Sequence, residues 1–484
     1  MQFFRDFRML FSLMVLLLFI LSCAVNPVTG KRELMLLSES DEILLGKQSD
    51  QDIVKQYGVY DNEELNRYIS EIGMKMARLS HRPNLPYEFK IMDSPVINAF
   101  AVPGGYVYFT RGILAYLNSE AEVAGVMGHE IGHITARHSA KQYSSAQLAQ
   151  LGLGVGIMVS DTFRKYAGLA QFGVGMLFLK FSRDNESQSD ELGVEYSTRA
   201  GYNAVHMANF FETLDRMHPS ESRSGLEEWF STHPNPEGRA TKVKQMANDW
   251  QLNIGNQNLE VGRDEYLRQI DGLVYGDDPR QGYEENNMFY HPDLRFQFSV
   301  PSGWKLYNTP SQVQIMSSEK DAAIILILES GTTPDAASSK FITNSKATVI
   351  NQSNVKVNGL SARRVTMDIV SQQDTIRALS YFIAKDQYVY IFQGITYRSK
   401  FYVHQSVFQS TIGSFSRLYD QKKINVKPDR IKIETVKESG SLRNVLNSMG
   451  VSQDELEQIA LINGMHLNDQ IDSQTLIKVI ERDQ

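Results

Sequence analysis

The chain has 484 residues, of which 42% are hydrophobic and 22% are charged, and its formal net charge is −7. This length exceeds one ordinary hydrophobic core, so the sequence predicts two to four domains of globular composition. The mildly acidic balance, with no basic run in the sequence, excludes nucleic acid as an expected partner.

The N-terminal segment has the pattern of an export signal. Arg5 and Arg8 precede an almost wholly apolar run at residues 9–21, and the small Ser22 stands before Cys23. Because this run is too short to cross a bilayer core of ~30 Å at 1.5 Å per helical residue, we predict a cleaved signal peptide at residues 1–22 rather than a membrane-spanning anchor.

Cys23 is the only cysteine in the sequence, so no internal disulfide is possible. The run Ile-Leu-Ser-Cys at residues 20–23 resembles a lipoprotein box, in which the chain is cleaved before the cysteine and the cysteine is acylated. The alternative is an accidental thiol. The resemblance implies a lipid anchor on Cys23, followed by a linker at residues 23–33. It also implies a periplasmic protein held on the outer membrane, because Ala24 stands where inner-membrane lipoproteins commonly carry Asp.

Hydrophobic periodicity predicts that the next part of the chain is mainly helical. Helices are predicted at residues 34–80, 119–142 and 184–200, with helical pattern to about residue 250. Strands are predicted at residues 87–92 and 96–110. The apolar, glycine-rich residues 146–179 are interrupted by charges, so we expect buried or membrane-facing helices there and no span. Together these elements predict an α+β fold, with a mainly helical domain carrying a small sheet at residues 34–250.

The remainder of the chain has a different texture. Residues 251–287 are rich in Gly, Asn, Asp and Glu, which is typical of a linker. Apolar and polar residues alternate over residues 288–420, which predicts a β-rich α+β module. The last unit, residues 428–484, has the pattern strand–helix–helix–strand.

Residues 129–133 form the pattern His-Glu-x-x-His on a predicted helix. Positions four apart lie within about 40° of each other round a helix, so His129 and His133 face one point. This pair suits a tetrahedral Zn²⁺, and Glu130 lies where its carboxylate can take a proton from water. A chance match is the alternative, but Ser119 and Glu122 form a capping box at the helix start, which favours the site.

A zinc enzyme needs a third protein ligand and an open position for water. The metzincin pattern is excluded, because positions 136 and 139 hold Ala and Ser where that pattern requires Gly and His. His138 follows His133 by five residues, about 140° round a helix, and therefore faces away from it. We predict a structural or surface role for His138.

Glu186 is the better candidate for the third ligand. It lies near the start of the helix predicted at residues 184–200, and Asp190 follows four residues later on the same face. A Glu ligand with a second carboxylate beside it would bind the metal and orient a ligand histidine. From the spacing alone, a solvated acidic helix face explains these residues equally well.

Several short motifs in a fixed order make a resemblance to a known family specific. Besides the His-Glu-x-x-His pattern, they are Asn-Ala-Phe-Ala at 98–101, Pro-Gly-Gly at 103–105, Thr-Arg-Gly-Ile-Leu at 110–114, Glu-x-x-Ser-Asp at 186–190, and His-Pro at 233–234 with Arg239. Over residues 34–250 the chain resembles the gluzincin peptidases of the prenyl-protease group. The family carries Ala where this chain has Ser189.

The resemblance implies that Glu186 is the third zinc ligand and that Asp190 orients a ligand histidine. It also implies a substrate strand that pairs with an edge strand beside the active-site helix, formed by Asn98, Ala99, Phe100 and Ala101. The loop around His233 would reach the active site. There His233 could take the fourth zinc position and close the site, or donate to an oxyanion with Arg239 close by; a surface histidine is the alternative.

The C-terminal unit resembles a divergent lysin-motif domain, with Ser-Gly-Ser at 439–441 in place of the usual Gly-Asp-Thr. It could bind peptidoglycan or serve an architectural role. Residues 288–420 resemble PsbP-like domains through the segment at 298–304, and we assign them no activity.

The sequence therefore predicts an endopeptidase with one zinc per chain, and the resemblance implies that its substrates are unfolded or misassembled envelope proteins. The alternative is a lipid-tethered chaperone or scaffold with a vestigial zinc site. The intact Glu130 disfavours this alternative, because a structural zinc site needs no general base.

Overall fold

The computed structural model describes residues 23–150, 181–217, 229, 232–233, 238–255, 258–370 and 375–482. The predicted signal peptide and residues 151–179 of the predicted apolar helices lie outside these ranges. The chain divides into two compact units, of which the first contains Gly58–Gly276 and Arg430–Arg482 and the second contains Asp277–Asp429. Among the helices of the described residues, none is long and apolar enough to cross a membrane.

The described part of the first unit combines helices with four small sheets, as the α+β prediction requires. Its elements before the second unit are β1 (Cys23–Val25), β2 (Arg32–Leu34), α1 (Glu39–Tyr57), α2 (Glu63–Ala77), β3 (Glu88–Met92), β4 (Ala99–Val102), β5 (Tyr106–Thr110), α3 (Arg111–Tyr116), α4 (Glu120–Thr135), α5 (His138–Gln150), α6 (Arg183–Arg199), α7 (Met207–Met217), α8 (Arg239–Ile254) and α9 (Arg263–Gln269).

Strand β4 lies at the edge of a three-stranded sheet whose order is β3-β5-β4. The central β5 runs parallel to β3 and antiparallel to β4. Gly104 and Gly105, with φ of 87° and 108°, make the turn between β4 and β5 in a backbone region that other residues rarely adopt. The edge position predicted for this segment is therefore confirmed for Ala99–Val102.

Helices α4 and α5 replace the single helix predicted at residues 119–142, and that prediction is wrong. Helix α4 ends at Thr135, and α5 begins at His138. Between them Arg137 has a φ of 59°, in the left-handed region. Because of this break, the side chains of α5 do not point in the directions that one continuous helix over residues 119–142 would give them.

The segment predicted as a linker at residues 251–287 contains part of the core of the first unit. Helix α9 lies within it, and Tyr266, Leu267 and Ile270 are fully buried among the other core residues. Tyr266 also donates its hydroxyl hydrogen to the carbonyl of Leu114 at 2.6 Å. This part of the segment is an ordered element of the first unit.

The second unit is built on a seven-stranded sheet in the order β12-β13-β14-β15-β11-β10-β9, whose pairs are all antiparallel, and a four-stranded sheet in the order β16-β8-β7-β6. The β-rich α+β module predicted from residue 288 onward is thus confirmed. Its elements are β6 (Tyr283–Glu285), β7 (Met288–His291), β8 (Phe296–Ser299), β9 (Lys305–Thr309), β10 (Gln312–Met316), β11 (Ala322–Ser330), α10 (Pro334–Ser345), β12 (Thr348–Val357), β13 (Leu360–Val370), β14 (Thr375–Lys385), β15 (Tyr388–Tyr397), α11 (Phe401–Gly413), β16 (Ser416–Arg417) and α12 (Gln421–Ile424).

The C-terminal segment follows the predicted order strand–helix–helix–strand and returns to the first unit. Its elements are β17 (Arg430–Thr435), β18 (Gly440–Ser441), α13 (Leu442–Ser448), α14 (Leu456–Ile462), β19 (Gln470–Ile471) and β20 (Leu476–Glu481). Lys478 on β20 is fully buried, and its ammonium donates to the carbonyls of Ala115 and Leu117, each at 2.8 Å. Burial lowers the pKa of Lys478 well below its usual value. This lysine fastens the segment to the residues just before α4.

Candidate metal centre

Helix α4 carries the His-Glu-x-x-His pattern and packs directly against α6. A Cβ added at Gly128 would lie 2.9 Å from the carbonyl oxygen of Gly193, and one added at Gly193 would lie 3.0 Å from the nitrogen of His129. Only glycines permit this approach of two backbones. The contact brings the acidic residues of α6 to the histidines of α4.

The start of α4 has one half of the predicted capping box. The Ser119 hydroxyl accepts the N–H of Glu122 at 3.2 Å, as predicted. The Glu122 carboxylate, however, accepts the N–H of Asn118 at 2.8 Å rather than that of Ser119. Two donors at the helix start are still satisfied, so the physical effect of the cap is retained.

His129 and His133 present their rings to the same point, one helical turn apart. Their ring centroids are 4.7 Å apart, and their Nε2 atoms are 3.0 Å apart. Both side chains are 1% exposed. Burial holds the pKa of His133 well below its usual value, so this ring is a neutral donor of a lone pair near pH 7.

Glu186 and His233 complete the group. The carboxylate of Glu186 lies 3.4 Å from His133 Nε2 and 3.6 Å from His129 Nε2, and it is fully buried. His233 Nδ1 lies 3.1 Å from Glu186 Oε1 and 3.3 Å from His129 Nε2. Burial opposes the ionisation of Glu186, but the imidazoles of His233 and His133 outweigh it and lower the pKa of this carboxyl.

The donor set of these four residues fits a metal ion. Each offers one ligand atom, and the four atoms lie within 4.8 Å of one another. Among the described residues, the buried atoms Glu186 Oε2 and His233 Nε2 have no hydrogen-bond partner, which a bound cation or its ligands would relieve. Imidazole nitrogens with one carboxylate suit zinc and neighbouring transition metals better than calcium or magnesium.

Glu130 lies beside the group but outside it. Its Oε1 atom is 3.6 Å from His233 Nε2 and has no hydrogen-bond partner among the described residues. Burial raises the pKa of Glu130, against the opposing effect of His233 and His129. A raised pKa makes this carboxylate a stronger base than an exposed one, which suits a group that accepts a proton.

Asp190 and Arg239 form a bonded pair behind His129. Asp190 Oδ1 lies 2.9 Å from His129 Nδ1, and Arg239 donates to both carboxylate oxygens of Asp190, at 2.8 and 2.6 Å. The Arg239 guanidinium lies 4.2 Å from the ring centroid of Phe211 and 3.2 Å from Glu186 Oε2. Sequence reasoning assigned Arg239 to the neighbourhood of an oxyanion, whereas its two contacts with Asp190 hold it on that carboxylate.

His138 does not face away from the site, so the predicted direction and the surface alternative are wrong, while a structural role stays open. Its side chain is buried, and its Nδ1 atom lies 3.1 Å from His133 Nδ1. The angular argument assumed a continuous helix, and the break at Arg137 removes that assumption.

The remaining predicted residues lie elsewhere. Asn98, Ala99 and Phe100 are buried and Ala101 is half-buried, at and before the start of β4. The backbone of Cys23 begins β1, where it pairs with Leu34. These positions belong to the sheet edge and to the N-terminal strand pair, respectively.

Two aromatic residues that sequence reasoning missed pack against the histidines of the centre. Trp229 lies 4.7 Å from the His233 ring, centroid to centroid, and the carbonyl of Trp229 accepts the N–H of His233 at 2.7 Å. Phe181 lies 4.0 Å from the His133 ring. An isolated aromatic residue beside a proline-rich segment gives no sequence signal of such a contact.

Comparison with known proteins gives a consistent result for the first unit. Residues 63–247 match the model of the family described as Peptidase family M48. The beta-barrel assembly-enhancing protease of Escherichia coli (strain K12) is 31% identical over 193 residues, which cover 38% of this chain and 39% of that protein. The mitochondrial metalloendopeptidase OMA1 of Arabidopsis thaliana is 29% identical over 194 residues, which cover 40% and 38%.

The chain spans about two fifths of the length of the curated relatives it matches. Similarity to solved structures is weak. Cyanobacterial PsbP from Synechocystis overlaps 27% of this chain and 91% of its own, with a TM-score of 0.24 and 14% identity. A TM-score this low assigns neither a fold nor a function to the overlapping residues.

Proposed function

We propose that this protein is a zinc-dependent endopeptidase, because residues 63–247 match the model of Peptidase family M48. One observation carries the proposal: His129, His133, Glu186 and His233 are all buried, with ligand atoms within 4.8 Å of one another. The carboxylate of Glu130 at the edge of this group supports catalysis over a purely structural site, since a structural zinc site needs no general base.

In the proposed mechanism, His129, His133 and Glu186 hold one Zn²⁺ per chain. When bound, the ion supplies polarisation of the scissile carbonyl and a lowered pKa for the attacking water. Glu130 accepts a proton from that water and then donates it to the leaving amine. The raised pKa of Glu130 suits it to accept that proton.

Asp190 and Arg239 act as positioning residues in this mechanism. Asp190 accepts from His129 Nδ1, which directs the lone pair of Nε2 towards the site. Burial opposes ionisation of Asp190, but Arg239 outweighs it and holds the pKa of this carboxyl below its usual value. The pair therefore keeps His129 in one tautomer and one orientation.

The substrate binds as an extended strand along β4. This role is supported by the edge position of β4 and its contact with α4. The buried Oδ1 of Asn98 has no hydrogen-bond partner among the described residues and can accept a main-chain N–H of the peptide. Because pairing uses main-chain groups, we expect loose sequence preference and unfolded substrates.

We further propose that the protein is tethered through Cys23 to the outer membrane and acts on misassembled envelope proteins. The relative in Escherichia coli is named a beta-barrel assembly-enhancing protease, which supports a role in the same setting. The pattern of residues 1–23 supports export and lipidation.

The test is hydrolysis of unfolded casein by a purified protein of residues 23–484. We expect cleavage that stops when a chelator removes the metal and returns when Zn²⁺ is added. The rival function, a lipid-tethered scaffold with an inert zinc site, predicts no cleavage by the zinc-loaded protein under any condition. Cleavage that persists without metal would contradict the zinc mechanism.

His233→Ala is expected to raise the basal cleavage of casein. His233 Nδ1 lies within 3.3 Å of both Glu186 and His129, close enough to serve as a fourth ligand in place of the attacking water. If the form in which His233 closes the site is more stable than the open form by about 1.4 kcal/mol, removing the imidazole raises the rate of casein cleavage roughly tenfold. The measurement is initial rate at fixed zinc content.

The sign of this change separates two roles for His233. A lower rate with unchanged zinc content would show that His233 stabilises the transition state rather than closing the site. Unchanged kinetics would remove both roles. Trp229→Phe is a useful companion, because it keeps an aromatic contact with the ring while changing its fit.

A further inference from the structure

His138 is the hydrogen-bond partner of His133, one of the proposed ligands, and its position depends on the break between α4 and α5. Its Nδ1 atom lies 3.1 Å from His133 Nδ1, and its Nε2 atom lies 3.0 Å from Gln188 Oε1. The hydroxyl of Ser189 lies 3.4 Å from the same Nδ1 atom. Among the described residues, His133 Nδ1 has no hydrogen-bond partner other than His138.

The break at Arg137 is held by residues far away in the sequence. The carboxylate of Glu42 on α1 pairs with the Arg137 guanidinium, and its other oxygen accepts from Arg82 at 2.8 Å. Arg82 also donates to the carbonyl of Ile134, near the end of α4, at 3.1 Å. All three ionic side chains are buried. The left-handed conformation of Arg137, costly for a residue with a Cβ, is thus fixed in place, and it turns His138 back towards His133.

His133, His138 and Gln188 form a series of hydrogen bonds, and the direction of these bonds follows from the Gln188 end. An amide oxygen can only accept, so Gln188 Oε1 requires a hydrogen on His138 Nε2. The two facing Nδ1 atoms, 3.1 Å apart, need one donor and one acceptor, and an imidazole ring that carries its one hydrogen on Nε2 is an acceptor at Nδ1. His133 Nδ1 in turn carries the hydrogen, which leaves the lone pair of His133 on Nε2, the atom that faces Glu186.

We propose that Gln188 and His138 are positioning residues that fix the tautomer and ring orientation of His133 for metal binding. The inference rests on the proposed function only in that His133 is a ligand. The two histidines of α4 are then held differently: His129 by the anionic Asp190, and His133 by a neutral imidazole. The neutral partner orients the ring without adding a second negative charge to the centre.

The test is the affinity of the metal-free protein for Zn²⁺, measured in competition with a chromophoric chelator. His138→Leu removes the acceptor, and we expect affinity to fall about 10–100-fold. His138→Asn places an amide oxygen near the position of Nδ1, and we expect most of the affinity to return. His206→Leu, which changes another partly buried histidine away from the centre, should leave affinity unchanged.

A second readout does not depend on affinity. In zinc-loaded protein labelled with ¹⁵N-histidine, His133 should show a protonated Nδ1 in the wild type and in His138→Asn.

Gln188→Met removes the terminal acceptor at a half-buried position and should weaken zinc binding less than His138→Leu does. This variant keeps the test available if His138→Leu fails to fold.

Two results would overturn the proposal. Zinc affinity of folded His138→Leu equal to that of the wild type would show that the contact does not position His133. Equal weakening in the Leu and Asn variants would show that packing, not the acceptor, matters. Neither measurement involves peptide hydrolysis, so a wild-type protein that binds zinc but cleaves nothing would defeat the proposed function and leave this inference standing.

Discussion

Glu130→Gln is expected to keep its metal and lose peptide hydrolysis. The side chain lies outside the four-residue group, so its loss leaves every proposed ligand in place. Glutamine has the same shape but cannot accept the proton from water, and removal of a general base typically lowers the rate about 10²–10⁴-fold. Metal content and casein cleavage should be measured on one preparation.

The matched control is Glu120→Gln, the same chemical change at the start of the same helix. Glu120 accepts a hydrogen bond from the Tyr68 hydroxyl at 2.8 Å, and an amide oxygen can replace that acceptor. We expect near wild-type cleavage from this variant. If Glu130→Gln cleaved casein as fast as the control, Glu130 could not be the base and another residue would have to take the proton.

Local spacing predicts which candidate ligands share a helix face, but not that the face of α6 meets the histidines of α4. The helical period places His129 and His133 on one face, and it places Glu186 and Asp190 on one face of α6. The glycines that let α4 and α6 touch, Gly128 and Gly193, are visible in the sequence, but their pairing is not. That pairing depends on tertiary packing, which no local pattern encodes.

The break before His138 could not be predicted for a related reason. Arg137 is neither glycine nor asparagine, so nothing local favours a left-handed conformation there. The conformation is held by Glu42 and Arg82, which are distant in the sequence. The contacts of His233 with Trp229 likewise become visible only when the chain is folded.

Both ends of α4 are held by segments remote in sequence. At its start, Lys478 on β20 binds the carbonyls of Ala115 and Leu117, just before the helix. At its end, the buried pairs of Glu42 fix the exit of the chain. Since the proposed ligands need positions accurate to a fraction of an ångström, the C-terminal segment contributes to the centre without touching it. This supports an architectural role for residues 430–482.

Glu186→Ala is expected to release most of the metal, with a larger loss of affinity than Asp190→Ala causes. Glu186 supplies the only carboxylate of the four-residue group. Its removal also takes one of two neighbouring carboxylates from the buried Arg239, now 3.2 Å from Glu186 Oε2, and leaves Asp190 to offset this positive charge beside a cation site. Loss of a partner that only orients a ligand typically costs about 10–100-fold, which is our expectation for Asp190→Ala.

The comparison is made by metal analysis after exhaustive dialysis, with circular dichroism to confirm folding. Glu191→Ala is the matched control, because Glu191 lies on the same helix but is exposed to solvent. This variant should retain its zinc, because the exposed side chain of Glu191 is not part of the proposed metal centre. Full zinc retention by folded Glu186→Ala would show that the wrong carboxylate has been assigned. A greater loss in Asp190→Ala than in Glu186→Ala would exchange their roles, because a ligand must contribute more to affinity than the residue that only orients its neighbour.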